Sequence, residues 1–322
     1  MTNLEFAIFG SNLLSSLLAG LLTRDHGKRV ARIGRRRSTQ RLPRGLDLAL
    51  PLSARAETWK ILRNGERETA TLLAAIGAEG SLSMGEVALF ADTAASTMAL
   101  DHVSHLAVGF DHQMARLKDG WAMRRVAQIS AEMADDAITK WLRDLGVVLA
   151  DEGPVEAELM VIADDAALLE QIAPEARPPM LRTEAMMSTL IVSTRGLARP
   201  VERYLDRGVT LMRRPGSTIL ALVAGEHDVD ARLASTLGGP FPMKRLATTH
   251  YRRVVTTDGA PLLGGVSGTF AIAGLGTGAP FFAPVLARHL AGKASAEEAS
   301  WVNAHGPETP RDIVSDIAEV LL

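Results

Sequence analysis

There is no cysteine among the 322 residues. That absence excludes disulfides, zinc–thiolate sites, thiol nucleophiles and any cysteinyl bond to a cofactor. Net charge is almost absent too, a formal −2 from 35 Lys and Arg against 37 Asp and Glu. No electrostatic ground therefore exists for expecting nucleic acid as a partner. Nor is there an apolar run long enough for a bilayer. The best candidate, Leu13–Leu22, is interrupted by Ser15, Ser16 and Gly20, and it is far shorter than the ~20 residues a span requires. The residues before it, Met-Thr-Asn-Leu-Glu, carry a negative charge where an export signal is positive. These absences predict a cytoplasmic protein with no membrane span. What is present in quantity is hydrophobic residue, 47% of the chain, enough for a sizeable core in two domains or one large one.

The N-terminus reads as one βαβ unit. "LEFAIFG" (4–10) is a short run of strand formers ending at a glycine. "SNLLSSLLAGLLTRDHG" (11–27) places leucine on more than one helical face, as expected of a helix covered on all sides, and Gly27 is a C-cap candidate. "KRVARIG" (28–34) supplies a second strand. Strand, tight turn, helix and strand in about 30 residues make a parallel-sheet unit.

The turn in this unit is where a dinucleotide fingerprint would fall. On the G-x-G-x-x-G template it reads Gly10-Ser11-Asn12-Leu13-Leu14-Ser15. Only the first glycine is kept. Asn12 replaces the glycine that lets a pyrophosphate approach the backbone, and Ser15 the one that allows tight helix–strand packing. Asn tolerates unusual backbone angles and Ser is small, so the turn remains feasible. At the end of the second strand, where an acid would grip ribose hydroxyls, stands Gly34, followed by Arg35, Arg36 and Arg37. Taken alone, the stretch is equally a βαβ unit with no nucleotide.

A second glycine-rich turn lies near the C-terminus. Residues 252–292 run "RRVVTTDGAPLLGGVSGTFAIAGLGTGAPFFAPVLARHLAG". An arginine (Arg253) precedes Asp258-Gly259-Ala260-Pro261-Leu262-Leu263-Gly264. The strand "TFAIAG", the turn Gly276-Thr277-Gly278 and an apolar helix from Pro280 follow. This order resembles the D-amino-acid oxidase superfamily of FAD-dependent oxidoreductases, which includes glycine, sarcosine and amine oxidases or dehydrogenases. The resemblance implies that the last strand and helix return to the N-terminal sheet. It also implies that backbone N–H groups at Gly276, Thr277, Gly278 and Ala279 face the pyrimidine end of the flavin, where negative charge collects on reduction. Gly10, Ser11, Asn12 and Ser15 would then hold the FAD diphosphate, with Arg35 and Arg36 nearby. Weaker echoes run through 50–77, 85–96, 134–149, 158–169 and 213–226. Two departures stand out. Only a turn fits between Val147 and Glu158, where the family inserts a β-meander. Asp164 and Asp165 occupy a strand end where small residues adjoin the FAD phosphates, and a carboxylate there repels diphosphate unless a base compensates.

Other clusters carry less. His102 and His105, three apart with Asp101, Asp111 and His112 close by, could ligate a metal from one helix face or form a solvated face. Arg35–Arg37 could hold the 2′-phosphate of NADP or be a solvated loop. His250, Tyr251 and Arg253 offer an imidazole, a phenol and a guanidinium just before the family-like segment, and an arginine fork suits a substrate carboxylate. An ordinary strand with outward charges is the alternative. Met186 and Met187 read as core.

The expected architecture is therefore α/β. An FAD-type Rossmann parallel sheet is drawn from 1–50, 125–170 and 250–322, and a mixed α+β substrate domain from 51–124 and 171–249. The expected function is FAD-dependent oxidation of a C–N bond in a small amine or amino acid, with His250, Tyr251 and Arg253 as the catalytic candidates. The alternative is a non-catalytic relative, a scaffold or partner subunit, that has lost or altered nucleotide binding; a partner subunit or a homo-oligomer is the expected assembly.

Overall fold

The computed structural model describes residues 3–34, 45–50, 55–110, 112–153, 155–193, 196–238 and 244–310. Arg35, Arg36 and Arg37 lie outside the described residues. In chain order the elements begin β1 (Leu4–Phe9), α1 (Leu13–His26), β2 (Val30–Ile33), β3 (Leu46–Leu48), α2 (Ala56–Ala75), β4 (Leu82–Phe90) and α3 (Ala94–Gly109). They continue with β5 (Gln113–Leu117), β6 (Gly120–Ser130), α4 (Ala131–Asp144), β7 (Val148–Ala150), β8 (Ala157–Ile162), α5 (Asp165–Gln171) and β9 (Leu181–Val192). The last are β10 (Val201–Tyr204), β11 (Val209–Arg214), β12 (Thr218–Ala224), α6 (Val229–Thr236), β13 (Lys244–Thr256), β14 (Leu262–Val266), β15 (Thr269–Ala273), α7 (Ala283–Leu290) and α8 (Ala296–Ala304).

Two sheets organise these elements. The first has the order β14-β15-β8-β1-β2-β7, parallel from β15 to β7 with β14 antiparallel at the edge. The second runs β13-β9-β12-β11-β10-β4-β6-β3, with β5 paired to β6. It is antiparallel except where β10 meets β4. Strands β3, β6 and β13 all belong to this second sheet. In the first, β1 has β2 on one side and β8 on the other. The chain therefore leaves β1 in one direction and enters its other neighbour from elsewhere, opening a crevice at the carboxyl ends of the strands.

The leucine-rich first helix is buried all round, as its composition predicts: Leu13, Leu14, Leu17, Leu18, Leu21 and Leu22 are all in the core. Gly20 allows that packing, because a Cβ there would stand 2.1 Å from the Trp141 ring on α4. Gly27 ends the helix in the left-handed region and donates its N–H to Thr23. At the other end of the chain the sequence predicts an α-helix from Pro280. The structure instead has a 3-10 turn over Gly276–Phe282, and α7 starts at Ala283. Proline has no N–H and disfavours helix in the residue before it. Regular α-helix starts three residues after Pro280, at Ala283, and Pro284 sits in its first turn where the missing donor costs nothing.

Candidate functional site

The two sheets enclose a cavity of about 620 Å³ at the crevice. One wall comes from the parallel sheet: Asn12 and Leu14 of the first turn, Ala163–Ala166 after β8, and 273–277 after β15. The other comes from the second sheet, and its cross-strand register defines it. Arg203 lies opposite Thr210, Thr210 opposite Leu222, Leu222 opposite Ser188, and Ser188 opposite Thr249. These five residues form one row across five strands, and all five line the cavity.

The N-terminal turn is held by side chains that a glycine-rich version would lack. Asn12 caps the first helix, its Oδ1 accepting the Ser15 N–H at 2.8 Å, while its Nδ2 donates to the Ala163 carbonyl at 2.7 Å. The Ser15 hydroxyl donates to the Asn12 carbonyl at 2.8 Å. Asp164 reaches across from the end of β8: its Oδ2 accepts the Ser11 N–H at 3.1 Å and its Oδ1 the Ala166 N–H at 2.9 Å. Gly10 makes this approach possible, because a Cβ there would sit 2.9 Å from that of Asp164. Gly34 is fixed by a closer contact still, since its Cβ would fall 2.4 Å from the Gly10 carbonyl oxygen. No acidic side chain has room at that position. Among the described residues, the N–H groups of Leu13 and Leu14, in the first turn of the helix, have no hydrogen-bond partner.

Asp165 is placed differently from Asp164. Its Oδ2 accepts the Val254 N–H at 3.1 Å. Burial raises its carboxyl pKa to about 6, against the pull of that N–H and of Arg253. Asp165 therefore joins the wall to β13.

Of the glycine-rich turn after β15, Gly276, Thr277 and Ala279 line the cavity. A Cβ on Gly276, whose φ is +56°, would project into open space. Gly278 faces away, toward Phe282 and the Leu48 carbonyl. Within β13, alternation separates the residues singled out from the sequence. Tyr251 pairs with cavity-lining Met186, and Arg253 pairs with Glu184 two residues along on the same face. His250 pairs with Met187, whose side chain packs into the core on the other face of the sheet with Ile191 and Leu211. His250 is among the residues lining the cavity, as Tyr251 and Arg253 are, but strand alternation puts its position on the opposite face of β13 from theirs. Arg253 is committed to Glu184, Nη2 to Oε2 at 2.7 Å and Nε to Oε2 at 3.2 Å.

One functional candidate escapes the sequence reading. Arg203 is 8% exposed and lines the cavity, and its enclosed Nε has no hydrogen-bond partner among the described residues. Burial, reinforced by the neighbouring Arg253, lowers its pKa to about 10. Among the described residues no group of three His, Asp or Glu could hold a metal, and His102 and His105 gather none. No helix among them is long and apolar enough to cross a membrane.

No protein-family model matches the sequence, and no curated protein matches it. Solved structures do match in fold. Iminodiacetate oxidase from Chelativorans sp. BNC1 superposes with a TM-score of 0.69 at 15% identity, covering 95% of this chain and 100% of its own. Glycine oxidase from Geobacillus kaustophilus gives 0.70 at 15% identity over 92% of this chain and 96% of its own. L-Proline dehydrogenase from P. horikoshii gives 0.73 at 12% identity over 95% and 97%. The chain has the D-amino-acid-oxidase-like fold of these proteins.

Proposed function

We propose that this chain is an FAD-dependent oxidoreductase acting on the C–N bond of a small amine or amino acid. The observation that carries the reading is the cavity itself. It lies at the carboxyl ends of β1, β8 and β15, between the backbone of 274–277 and a polar row on the second sheet, in a fold shared with oxidases of glycine and iminodiacetate and a dehydrogenase of L-proline.

The residues present fit a flavin in two respects. The open space beside Gly276 is where a ring can lie against the backbone, and the N–H groups of Leu13 and Leu14 are donors for a phosphate at a helix N-terminus. Bound FAD would supply the hydride acceptor for amine oxidation. The chain would supply position and field. Asn12 fixes the turn that presents the two N–H groups. Gly276 and Thr277 hold backbone against one face of the cavity. Ser188, Thr210 and Thr249 offer hydroxyls to a polar substrate on the other. No strong base is required of the protein in hydride transfer.

A second reading has a specific observation behind it. Asp164 already accepts the Ser11 N–H at the mouth of the turn, and its charge there opposes a diphosphate. That favours a relative with weakened nucleotide binding, acting as a partner subunit. Titration of the purified chain with FAD, followed by flavin fluorescence and circular dichroism, separates the two. Saturable one-to-one uptake supports the oxidoreductase, and absence of uptake supports the partner subunit.

A further inference from the structure

A dinucleotide on a parallel sheet is held at two places by the first βαβ unit. The N–H groups of the turn take the diphosphate, and an acid at the end of the second strand takes the adenosine ribose. In this chain the first place is partly filled and the second is closed. Asp164 lies over the start of the turn, so near Gly10 that a Cβ there would stand 2.9 Å from its own. Its Oδ2 accepts the Ser11 N–H at 3.1 Å. A carboxylate thus holds a donor that a phosphate would otherwise take, and its charge resists displacement by one. The donors left in the turn are the N–H groups of Leu13 and Leu14, a set that suits one phosphate rather than two. At the second place Gly34 gives its N–H to the Ala150 carbonyl at 3.0 Å. A Cβ on it would fall 2.4 Å from the Gly10 carbonyl oxygen, so no side chain can reach a ribose from there. The cavity follows the same division. On the parallel sheet it runs past Asn12, Asp164 and Gly276, and among the described residues its lining includes nothing of β2, Gly34 or β7. We infer that the adenosine half of a flavin dinucleotide adds nothing to binding here, and that the cavity is built for a flavin mononucleotide, its single phosphate taken by the N–H groups of Leu13 and Leu14. The inference rests on the flavin reading above and narrows its cofactor.

The test is fluorescence titration of the purified full-length chain with FMN, FAD and riboflavin, followed by competition with ADP. FMN binds more tightly than FAD or within about threefold of it. Riboflavin, which has the ring and no phosphate, binds at least roughly tenfold more weakly than FMN. A large excess of ADP displaces neither nucleotide. Asp164→Asn raises the affinity for FAD by a larger factor than that for FMN, because the charge removed stands at the place of the second phosphate. Its thermal midpoint, measured beside the titrations, shows that the variant is folded. FAD bound more than about threefold more tightly than FMN overturns the inference and leaves the flavin reading standing. Displacement of the flavin by ADP, riboflavin bound as tightly as FMN, or equal gains for the two nucleotides in Asp164→Asn does the same. A chain that binds none of the three flavins refutes the flavin reading and this inference with it.

Discussion

Arg253 and Glu184 face each other across the β13–β9 ladder, and the carboxylate holds the guanidinium by two nitrogens of its fork. This pair offsets the charge of Arg253, one of the three arginines, with Arg203 and Arg252, that line the cavity. Glu184 is partly solvated, its side chain 38% exposed, so the pair adds little to stability. Glu184→Gln is expected to cost less than about 1 kcal/mol in urea denaturation. The same change releases Arg253 and strengthens anion binding in the cavity. A larger loss of stability, or unchanged anion affinity in calorimetric titration, would show that the pair has a different role.

Asp165 gives the fold a pH dependence of defined sign. Its carboxyl titrates at about 6 in the folded chain, chiefly through burial, against an ordinary value of 3.8. The folded state therefore binds this proton more tightly than the unfolded state. Its contribution to stability is complete below about pH 4 and is lost as the pH rises through about 6. Asp165→Asn removes the ionisation and keeps an acceptor for the Val254 N–H. The expected result is a variant more stable than the wild type at pH 8, with the difference vanishing at pH 4. Parallel urea curves at both values check it, and a constant difference contradicts it.

Much of this was legible in the sequence because the signals are local. The run from Gly10 to Gly27 gives a turn, a buried helix and its C-cap from residues within one unit. The Asp258–Gly264 and Gly274–Gly278 segments announce a strand pair and a turn in the same way. The charged contacts of the site were not legible, because their partners are far apart in the chain. Ser11 and Asp164 are 153 residues apart, and Glu184 and Arg253 are 69. Arg203 sits in "VERYLDRG" beside Glu202, and nothing local marks it out. It is buried because β10 lies inside the second sheet, between β4 and β11, and Arg203 faces the cavity between the two sheets. The onset of the C-terminal helix was misplaced for a local reason, the two prolines at 280 and 284.

Gly65 tests the support beneath the glycine-rich turn. A glycine in the middle of α2 would ordinarily gain up to about 1 kcal/mol on replacement by alanine. Here the added Cβ would stand 1.8 Å from the Phe281 carbonyl oxygen, so α2 and the 3-10 turn must separate. Gly65→Ala is expected to lose about 1–3 kcal/mol instead and to weaken flavin uptake. A stabilised variant would show that this contact is looser than described.

Asp164 is the carboxylate placed to oppose a diphosphate. Asp164→Asn keeps an N-cap acceptor of similar quality for α5 and removes the charge beside the first turn of α1. FAD affinity is expected to rise about fivefold, equivalent to about 1 kcal/mol for a partly screened interaction. Unchanged affinity in fluorescence titration would mean that the phosphates are held elsewhere.

The most direct measurement is anaerobic mixing of the FAD-loaded chain with glycine, sarcosine, L-proline and iminodiacetate, observed through the visible flavin spectrum. The account predicts bleaching of the oxidised flavin by at least one of these amino acids, and loss of the response in Gly276→Val, whose new side chain enters the space beside the turn. A wild-type chain that takes up no FAD even when refolded with an excess of it, or that takes up FAD and is bleached by none of the four, would contradict the account.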